Sequence, residues 1–179
     1  MGNDLFSQLL NSYQTEFEEE IKFKDLFKKL IEHPRAFHRN HLPGHITGSA
    51  WVLNENHSKV LMVHHARLNR WLQPGGHADR DEDVLSVALR ELKEETGIRN
   101  VIQLGSGIFD LDVHPIPARI DFPQHDHYDV RFAFQANESE PLIVSDESND
   151  VKWISFEELH TYADNNSILR MAGKSLRLG

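Results

Sequence analysis

Three glutamates, Glu91, Glu94 and Glu95, lie at positions i, i+3 and i+4 of the segment RELKEETGI. On a helix these side chains share one face, where like charges repel one another. Carboxylate oxygens grouped in this way are the ligands that Mg²⁺ and Mn²⁺ prefer. The spacing therefore predicts a divalent-metal site. Arg90 can pair with one of the carboxylates and fix its rotamer.

A turn with small side chains, Pro74-Gly75-Gly76, precedes this helix. Because the two glycines have no side chain, the backbone carbonyls there can approach a metal ion or a substrate closely. We take the carbonyl of Gly75 as a candidate ligand. Each feature alone is also typical of an ordinary turn followed by a solvated helix, so the interpretation depends on the spacing between them.

That spacing resembles the 23-residue Nudix box, which would run here from Gly76 to Ile98. Chance agreement at seven fixed positions is on the order of 10⁻⁸ to 10⁻⁹ per window, so the motif is specific. The likeness extends from about Gly44 to Leu159 and leaves the first forty residues outside. The fixed positions of the box are matched by Gly76, Glu82, Arg90, Glu91, Glu94, Glu95 and Gly97, with apolar Leu92 and Ile98.

The resemblance implies an α/β fold, an α/β/α sandwich around a mixed central sheet. Members of the family typically hydrolyse a nucleoside diphosphate linked to another moiety. Carried onto this chain, the family pattern implies that Glu91, Glu94, Glu95 and the Gly75 carbonyl hold Mg²⁺ or Mn²⁺. It also implies that Arg90 orients Glu91 and that Glu82 has a supporting role.

The general base is left open between two kinds of carboxylate. Some members of the family use a glutamate of the box, and others use an acid in a loop near the C-terminus. Here the loop SDESND offers Glu147 as the first candidate and Asp146 as the second. A solvated acidic loop is an equally good interpretation of either residue.

The chain contains twelve histidines, and several lie where they could line a cleft. His125 and His127 are two residues apart on a strand, so both should point to one side. Neutral imidazoles ligate transition metals and protonated ones contact phosphate, so metal binding and substrate binding both remain open. Most histidines of this kind are structural. We predict contacts to the substrate from Arg67, Trp71, His77, His125, His127 and Arg131.

Composition restricts the class of protein further. The chain of 179 residues has a formal net charge of -9 and no cysteine. Disulfides, zinc thiolates and a cysteine nucleophile are therefore excluded. A negative balance disfavours a nucleic-acid polymer, and the apolar runs are too short to span a membrane. We expect a cytoplasmic protein whose partner is a small, nucleotide-derived phosphoanhydride, with a homodimer left open.

The spacing of apolar residues along the chain predicts the helices and strands that carry the candidate site residues. The first 33 residues predict one or two amphipathic helices, so we expect a helical extension over residues 1–40 and a Nudix domain over 41–179. A hairpin should join HITGSAWVLN to KVLMVHH, a strand should begin at Trp71, and a helix should run from Asp83 to Thr96 and end at Gly97. Leucines at positions 85, 89 and 92 should pack that helix on the sheet, and Ser155 should cap a helix over SFEELHTYAD.

The leading hypothesis is a metal-dependent hydrolase in which water attacks phosphorus in a pyrophosphate linkage. One alternative is a nucleotide-sensing module without catalytic activity, although the complete box argues against lost activity. The other is a diphosphate isomerase, since isopentenyl-diphosphate isomerases share this fold. Those enzymes resemble a design with a catalytic cysteine, which this chain lacks.

Overall fold

The structure is a computed structural model that describes residues 2–163 and 165–178. Its helices are α1 (Gly2–Ser12), α2 (Glu18–Leu30), α3 (Val84–Thr96), α4 (Leu159–Tyr162) and α5 (Asn166–Ser175). Its strands are β1 (Gly44–Leu53), β2 (Lys59–His65), β3 (Arg70–Leu72), β4 (Gly75–His77), β5 (Val101–Leu104), β6 (Asp110–Ile116), β7 (His125–Ala136) and β8 (Ser148–Ser155).

Within the described residues, eight strands form one mixed sheet with β1 near its centre. Strand β1 pairs with β7 in parallel along its whole length, and with β2 and β4 in antiparallel fashion. The predicted β1–β2 hairpin and the short strand at Trp71 are both confirmed. The parallel pairing brings residues of β1 beside residues about eighty positions later in the chain.

Helices cover both faces of the sheet. Successive side chains of β1 point to opposite faces, so apolar residues of this strand pack against helices on each side. Ile46, Ala50 and Val52 share one apolar cluster with α1, α2 and α3. Trp51 and Leu53 share a second cluster with α4 and α5. The predicted fold, a mixed sheet between helical layers, is confirmed.

The bounds of helix α3 agree with the prediction. Asp83 caps its start by accepting a hydrogen bond from the backbone N–H of Ser86 at 3.2 Å, and Gly97 ends it with a φ of 81°. The predicted leucine stripe is wrong in one member, since Leu89 is exposed. Leu92 and the partly buried Leu85 do pack against the core. The other buried residues of α3 are Val84, Val87, Ala88, Glu95 and Thr96.

The predicted helix over SFEELHTYAD is also wrong in extent. Only Leu159–Tyr162 is helical, and Glu158 occupies the N-cap position. Ser155 closes the preceding turn, since its hydroxyl accepts from the Glu158 N–H at 3.3 Å and donates to the Glu158 carboxylate at 2.8 Å. Helix α5, which the sequence analysis did not anticipate, follows and is capped by the side chain of Asn165.

The two N-terminal helices are built into the core. Phe6 and Leu10 of α1 and Phe27 of α2 are almost fully buried in the same cluster as Ile46. The predicted helical character of this segment is confirmed, and the boundary at residue 40 stays a prediction. None of the helices in the described ranges is long and apolar enough to cross a membrane.

Candidate active site and a neighbouring imidazole cluster

Glu95 is the most deeply buried carboxylate of the box, with 8% of its surface exposed. Its Oε2 accepts a hydrogen bond of 2.9 Å from the backbone N–H of Gly75, which ties α3 to β4. The pKa of Glu95 is raised to about 8, mainly by burial; the Gly75 bond lowers it, and the charges of Glu91, Glu147 and Glu94 add to the rise. A buried acid with this pKa favours a proton or a cation beside it.

Glu91 lies half-buried against the glycine turn. A Cβ atom at Gly76 would come within 2.5 Å of the Glu91 Cδ, so a larger residue there would displace the Glu91 carboxylate from this position. Arg90 Nη2 donates to Glu91 Oε1 and to the backbone carbonyl of His77, both at 2.8 Å. Burial raises the pKa of Glu91. The pairing of Arg90 with a box carboxylate is thus present, and it involves Glu91.

Glu94 and Glu147 are both exposed. Glu147 lies near enough to raise the pKa of Glu91 and of Glu95, and its backbone carbonyl accepts from the N–H of Ala66 at 2.9 Å. That bond anchors the acidic loop at the end of β2. Asp146, the second candidate base, is exposed as well. The loop acid predicted from the sequence is therefore a neighbour of the box.

Three imidazoles converge beside this carboxylate group. One ring nitrogen each from His45, His77 and His127 lies within 4.8 Å of the other two. In the part of the chain that the structure describes, no other trio of histidines and carboxylates converges this closely, so the box glutamates are spread more widely. His125 stacks on His45 with ring centroids 5.0 Å apart. The structure thus brings together the predicted His77, His125 and His127.

His45 was missed by the sequence analysis. The alternation along β1 puts it on the same side as Thr47 and Ser49, which was the available signal. Its position opposite His127 depends on the parallel pairing of β1 with β7. Burial, followed by the neighbouring imidazoles, lowers the pKa of His127 to about 2, and burial also lowers the pKa of His77 to about 4.

Arg131 lies in a buried ion-pair network on the same face of the sheet. Its Nε donates to Asp129 at 2.8 Å, its Nη1 to Asp110 at 3.0 Å and its Nη2 to Asp112 at 3.1 Å. Arg170 of α5 also donates to Asp110. A substrate phosphate at Arg131 would compete with three carboxylates, so its contact with substrate stays a prediction. No pattern in the sequence predicted that these three aspartates would surround Arg131.

The two remaining substrate candidates lie away from the buried network. Arg67 is exposed in the turn between β2 and β3. Trp71 stacks on His64 with ring centroids 5.0 Å apart, and Lys152 Nζ lies 4.7 Å from its ring centroid. The predicted stacking of Trp71 on a base and the predicted contact of Arg67 with phosphate both stay predictions.

Comparison with known sequences gives one family. The NUDIX domain matches residues 44–171. "Nucleoside diphosphate-linked moiety X motif 6" of Xenopus laevis is 38% identical over 41% of this chain and 37% of its own length. The chain spans only 29% to 37% of this relative and of two mRNA hydrolases from Xenopus laevis and Danio rerio. An "RNA pyrophosphohydrolase" of Pelagibacter ubique is 31% identical over 63% of this chain and 83% of its own length.

Solved structures agree on the fold. The binary complex of a C. elegans Ap4A hydrolase aligns with a TM-score of 0.59, covering 74% of this chain and 95% of that one at 18% identity. At this identity the likeness establishes the fold alone. Together with the complete box and the domain match over most of the chain, it leads to one conclusion: the chain belongs to the Nudix domain family.

Proposed function

We propose that this protein is a pyrophosphohydrolase that depends on a divalent metal ion and cleaves a nucleoside diphosphate derivative. The observation that carries the proposal is the joint placement of Glu95 on the Gly75 N–H and of Glu91 against Gly76 and Arg90. This arrangement holds two acidic side chains at a glycine turn. The names of its relatives, an RNA pyrophosphohydrolase and an Ap4A hydrolase, support the reaction class.

The donor set fits Mg²⁺ or Mn²⁺. Glu91, Glu94, Glu95 and the Gly75 carbonyl offer hard oxygen ligands, and the raised pKa of Glu95 indicates that its carboxylate lacks a compensating positive charge. These four groups would hold the ion. When bound, such an ion neutralises phosphate oxygens and lowers the pKa of a water molecule that attacks phosphorus.

The protein side chains have distinct roles in this proposal. Arg90 fixes the rotamer of Glu91 by bonding it and the His77 carbonyl together. A carboxylate must accept the proton of the attacking water. Glu147 is our first candidate because it is exposed and interacts electrostatically with both buried box glutamates. The proposed contacts to the rest of the substrate remain Arg67, Trp71, His77, His125, His127 and Arg131.

The proposed substrate class is defined by its linkage. The names of the relatives above refer to different compounds, such as RNA and Ap4A, so no single substrate follows from them. The net charge of -9 disfavours a long polyanion, so we favour a small nucleotide derivative.

The experiment is a screen of nucleoside diphosphate derivatives with and without Mg²⁺ or Mn²⁺. Hydrolysis of the linkage yields a nucleoside monophosphate and a phosphorylated moiety, so the readout is chromatography of these products, or the phosphate that added alkaline phosphatase releases from them. We expect Glu94→Gln to lower turnover by at least ~10–100-fold, since loss of a ligand should exceed the effect of losing an outer-shell partner. Glu157→Gln, an equally exposed glutamate in the turn before α4, is the matched control and should keep wild-type turnover.

Two results would overturn the proposal. One is a folded wild-type protein that cleaves none of the compounds with either metal. The other is tight binding of a nucleotide without turnover, which would favour the sensing module. Equal activity of Glu94→Gln and Glu157→Gln would remove Glu94 from the metal site.

A further inference from the structure

We propose that His45, His77 and His127 form a second metal site, which binds a zinc-class transition-metal ion through three imidazole nitrogens. The site lies beside the carboxylates of the box and takes a different kind of cation. This inference does not depend on the proposed hydrolase activity, because it concerns binding by residues outside the box glutamates.

The sheet places the three rings on one face. His45 of β1 is directly opposite His127 of β7, and His77 of β4 is opposite Thr47. Paired residues point to the same side of a sheet, and Thr47 follows His45 by two positions. The three imidazoles therefore come from three adjacent strands and converge without any loop contribution. A site built on strands holds its ligands rigidly.

The distances fit one shared ion. The ring centroids of His45 and His127 are 5.1 Å apart, those of His77 and His127 are 5.1 Å apart, and those of His45 and His77 are 5.2 Å apart. One nitrogen of each ring lies within 4.8 Å of the other two. Small side-chain adjustments would bring these nitrogens to a zinc ion at about 2.0–2.1 Å.

Unpaired lone pairs indicate that the cluster is more than a packed set of core histidines. His45 has no exposed surface, and its Nε2 has no hydrogen-bond partner. Its Nδ1 lies 3.3 Å from the His41 carbonyl, which can only accept, so the lone pair of the neutral ring is on Nε2. The buried Nε2 of His127 also lacks a partner. Ligating histidines commonly have this arrangement, with the second nitrogen bonded to a carbonyl.

Charge and donor type separate this site from the box. Burial lowers the pKa of His45 to about 4, so its imidazole is neutral at physiological pH and free to ligate. Nitrogen donors favour zinc and related ions over Mg²⁺, whereas the glutamates offer oxygen. The two groups are joined through Arg90, which bonds both the His77 carbonyl and Glu91. Three protein ligands leave the fourth position of a tetrahedral ion for water or another group.

The test is a Zn²⁺ titration of the full chain after treatment with a chelator, in millimolar Mg²⁺ so that the carboxylates compete less for zinc. We expect one equivalent to bind in wild type, and His77→Gln and His127→Gln to weaken binding by at least ~10–100-fold. His160→Gln, an exposed histidine of α4, and Glu94→Gln are the controls and should keep wild-type zinc affinity. Thermal melts of each variant without metal check that it folds.

X-ray absorption at the zinc edge of the wild-type complex gives an answer even if a variant fails to fold. We expect nitrogen scatterers at about 2.0–2.1 Å with the multiple scattering of imidazole rings. An oxygen-only shell would overturn the proposal. So would the absence of zinc binding in wild type, or zinc binding that Glu94→Gln abolishes and both histidine variants retain.

Discussion

Two glycines of the turn before α3 determine how closely the box carboxylates approach the backbone. Gly76 leaves room for the carboxylate of Glu91, and the N–H of Gly75 donates to Glu95. Both acids are therefore held against the backbone of the turn rather than extended into solvent. Burial, with a smaller effect from the neighbouring carboxylates, raises the pKa of both acids, so keeping them ionised without a metal ion is unfavourable. For single residues, the testable consequence is that the unfolding free energy of the metal-free protein depends on pH through these carboxylates.

Glu95→Gln should stabilise the metal-free protein at high pH. The folded-state pKa of Glu95 is raised from 4.5 to about 8, so its stabilising contribution is present below pH 4.5 and is lost as the pH rises through about 8. Glutamine stays neutral and can still accept the Gly75 bond. We expect the variant to gain about 1–3 kcal/mol over wild type near pH 9 and little near pH 4. Urea unfolding in the presence of a chelator measures this difference.

Addition of Mg²⁺ should reduce the advantage of Glu95→Gln over wild type. At a hundred times its dissociation constant, a bound ion stabilises wild type by about 2.7 kcal/mol, and the variant less. Glu94→Gln serves as the control, because Glu94 is exposed. Its gain in unfolding free energy at high pH, measured without metal, should be smaller than that of Glu95→Gln. Identical pH profiles for wild type and Glu95→Gln would show that the apo protein does not bury this charge.

At the scale of elements, the approach of α3 to β1 sets the position of the box. A Cβ atom at Gly48 would lie 2.9 Å from the backbone carbonyl of Val84 and 3.1 Å from Val87 Cγ1. Gly48 also pairs with Gly76 across the β1–β4 ladder. The close packing of helix on strand therefore brings Glu91 and Glu95 to the turn, although Gly48 lies outside the box.

Gly48→Ala should push α3 away from β1, because the obstructing atom belongs to the backbone. We expect a loss of about 1–3 kcal/mol of unfolding free energy and a weaker stabilisation by Mg²⁺. The matched control is Gly173→Ala in α5, where a Cβ would meet open space. The Gly173→Ala variant should gain about 0.5–1 kcal/mol of unfolding free energy, since alanine is a better helix former than glycine. Equal effects of the two substitutions would show that α3 can move without penalty.

At the scale of the whole molecule, buried charges join the N-terminal extension to the sheet and the last helix. Glu20 of α2 accepts from the Leu111 N–H of β6 at 3.0 Å and from Lys174 of α5 at 2.6 Å. Lys174 also donates to Asp110 at 2.8 Å. Since Glu20 has no exposed surface, its bonds to these partners are shielded from water. The extension and the Nudix domain should then unfold together.

Two leucines of α1 test this expectation. Leu10 is fully buried in the shared core, whereas Leu5 is 54% exposed. We expect Leu10→Ala to lower the unfolding free energy of the whole chain by about 2–5 kcal/mol in one transition. Leu5→Ala, the matched control, should change it by at most about 0.5 kcal/mol. Two separate transitions, with only the first shifted by Leu10→Ala, would instead support an independent extension over residues 1–40.

Local patterns in the sequence were sufficient to predict the box and the elements around it. Helix α3 begins at its Asp83 cap and ends at Gly97, because both signals act within one turn of the helix. The contact between Arg90 and Glu91 is likewise local. Alternation predicted that His125 and His127 share one side of their strand. The spacing from Gly76 to Ile98 was enough to indicate the family.

The tertiary structure decided which distant residues join these local groups. His45 meets His127 only because β1 pairs in parallel with β7, and Asp129 accepts from Thr47 across 82 positions of the chain for the same reason. Leu89 is exposed because the face of α3 that packs on β1 is the one with Val84 and Val87 next to Gly48. Sequence periodicity specifies which side of an element is apolar, whereas the partner of that side depends on strand pairings between segments far apart in the chain.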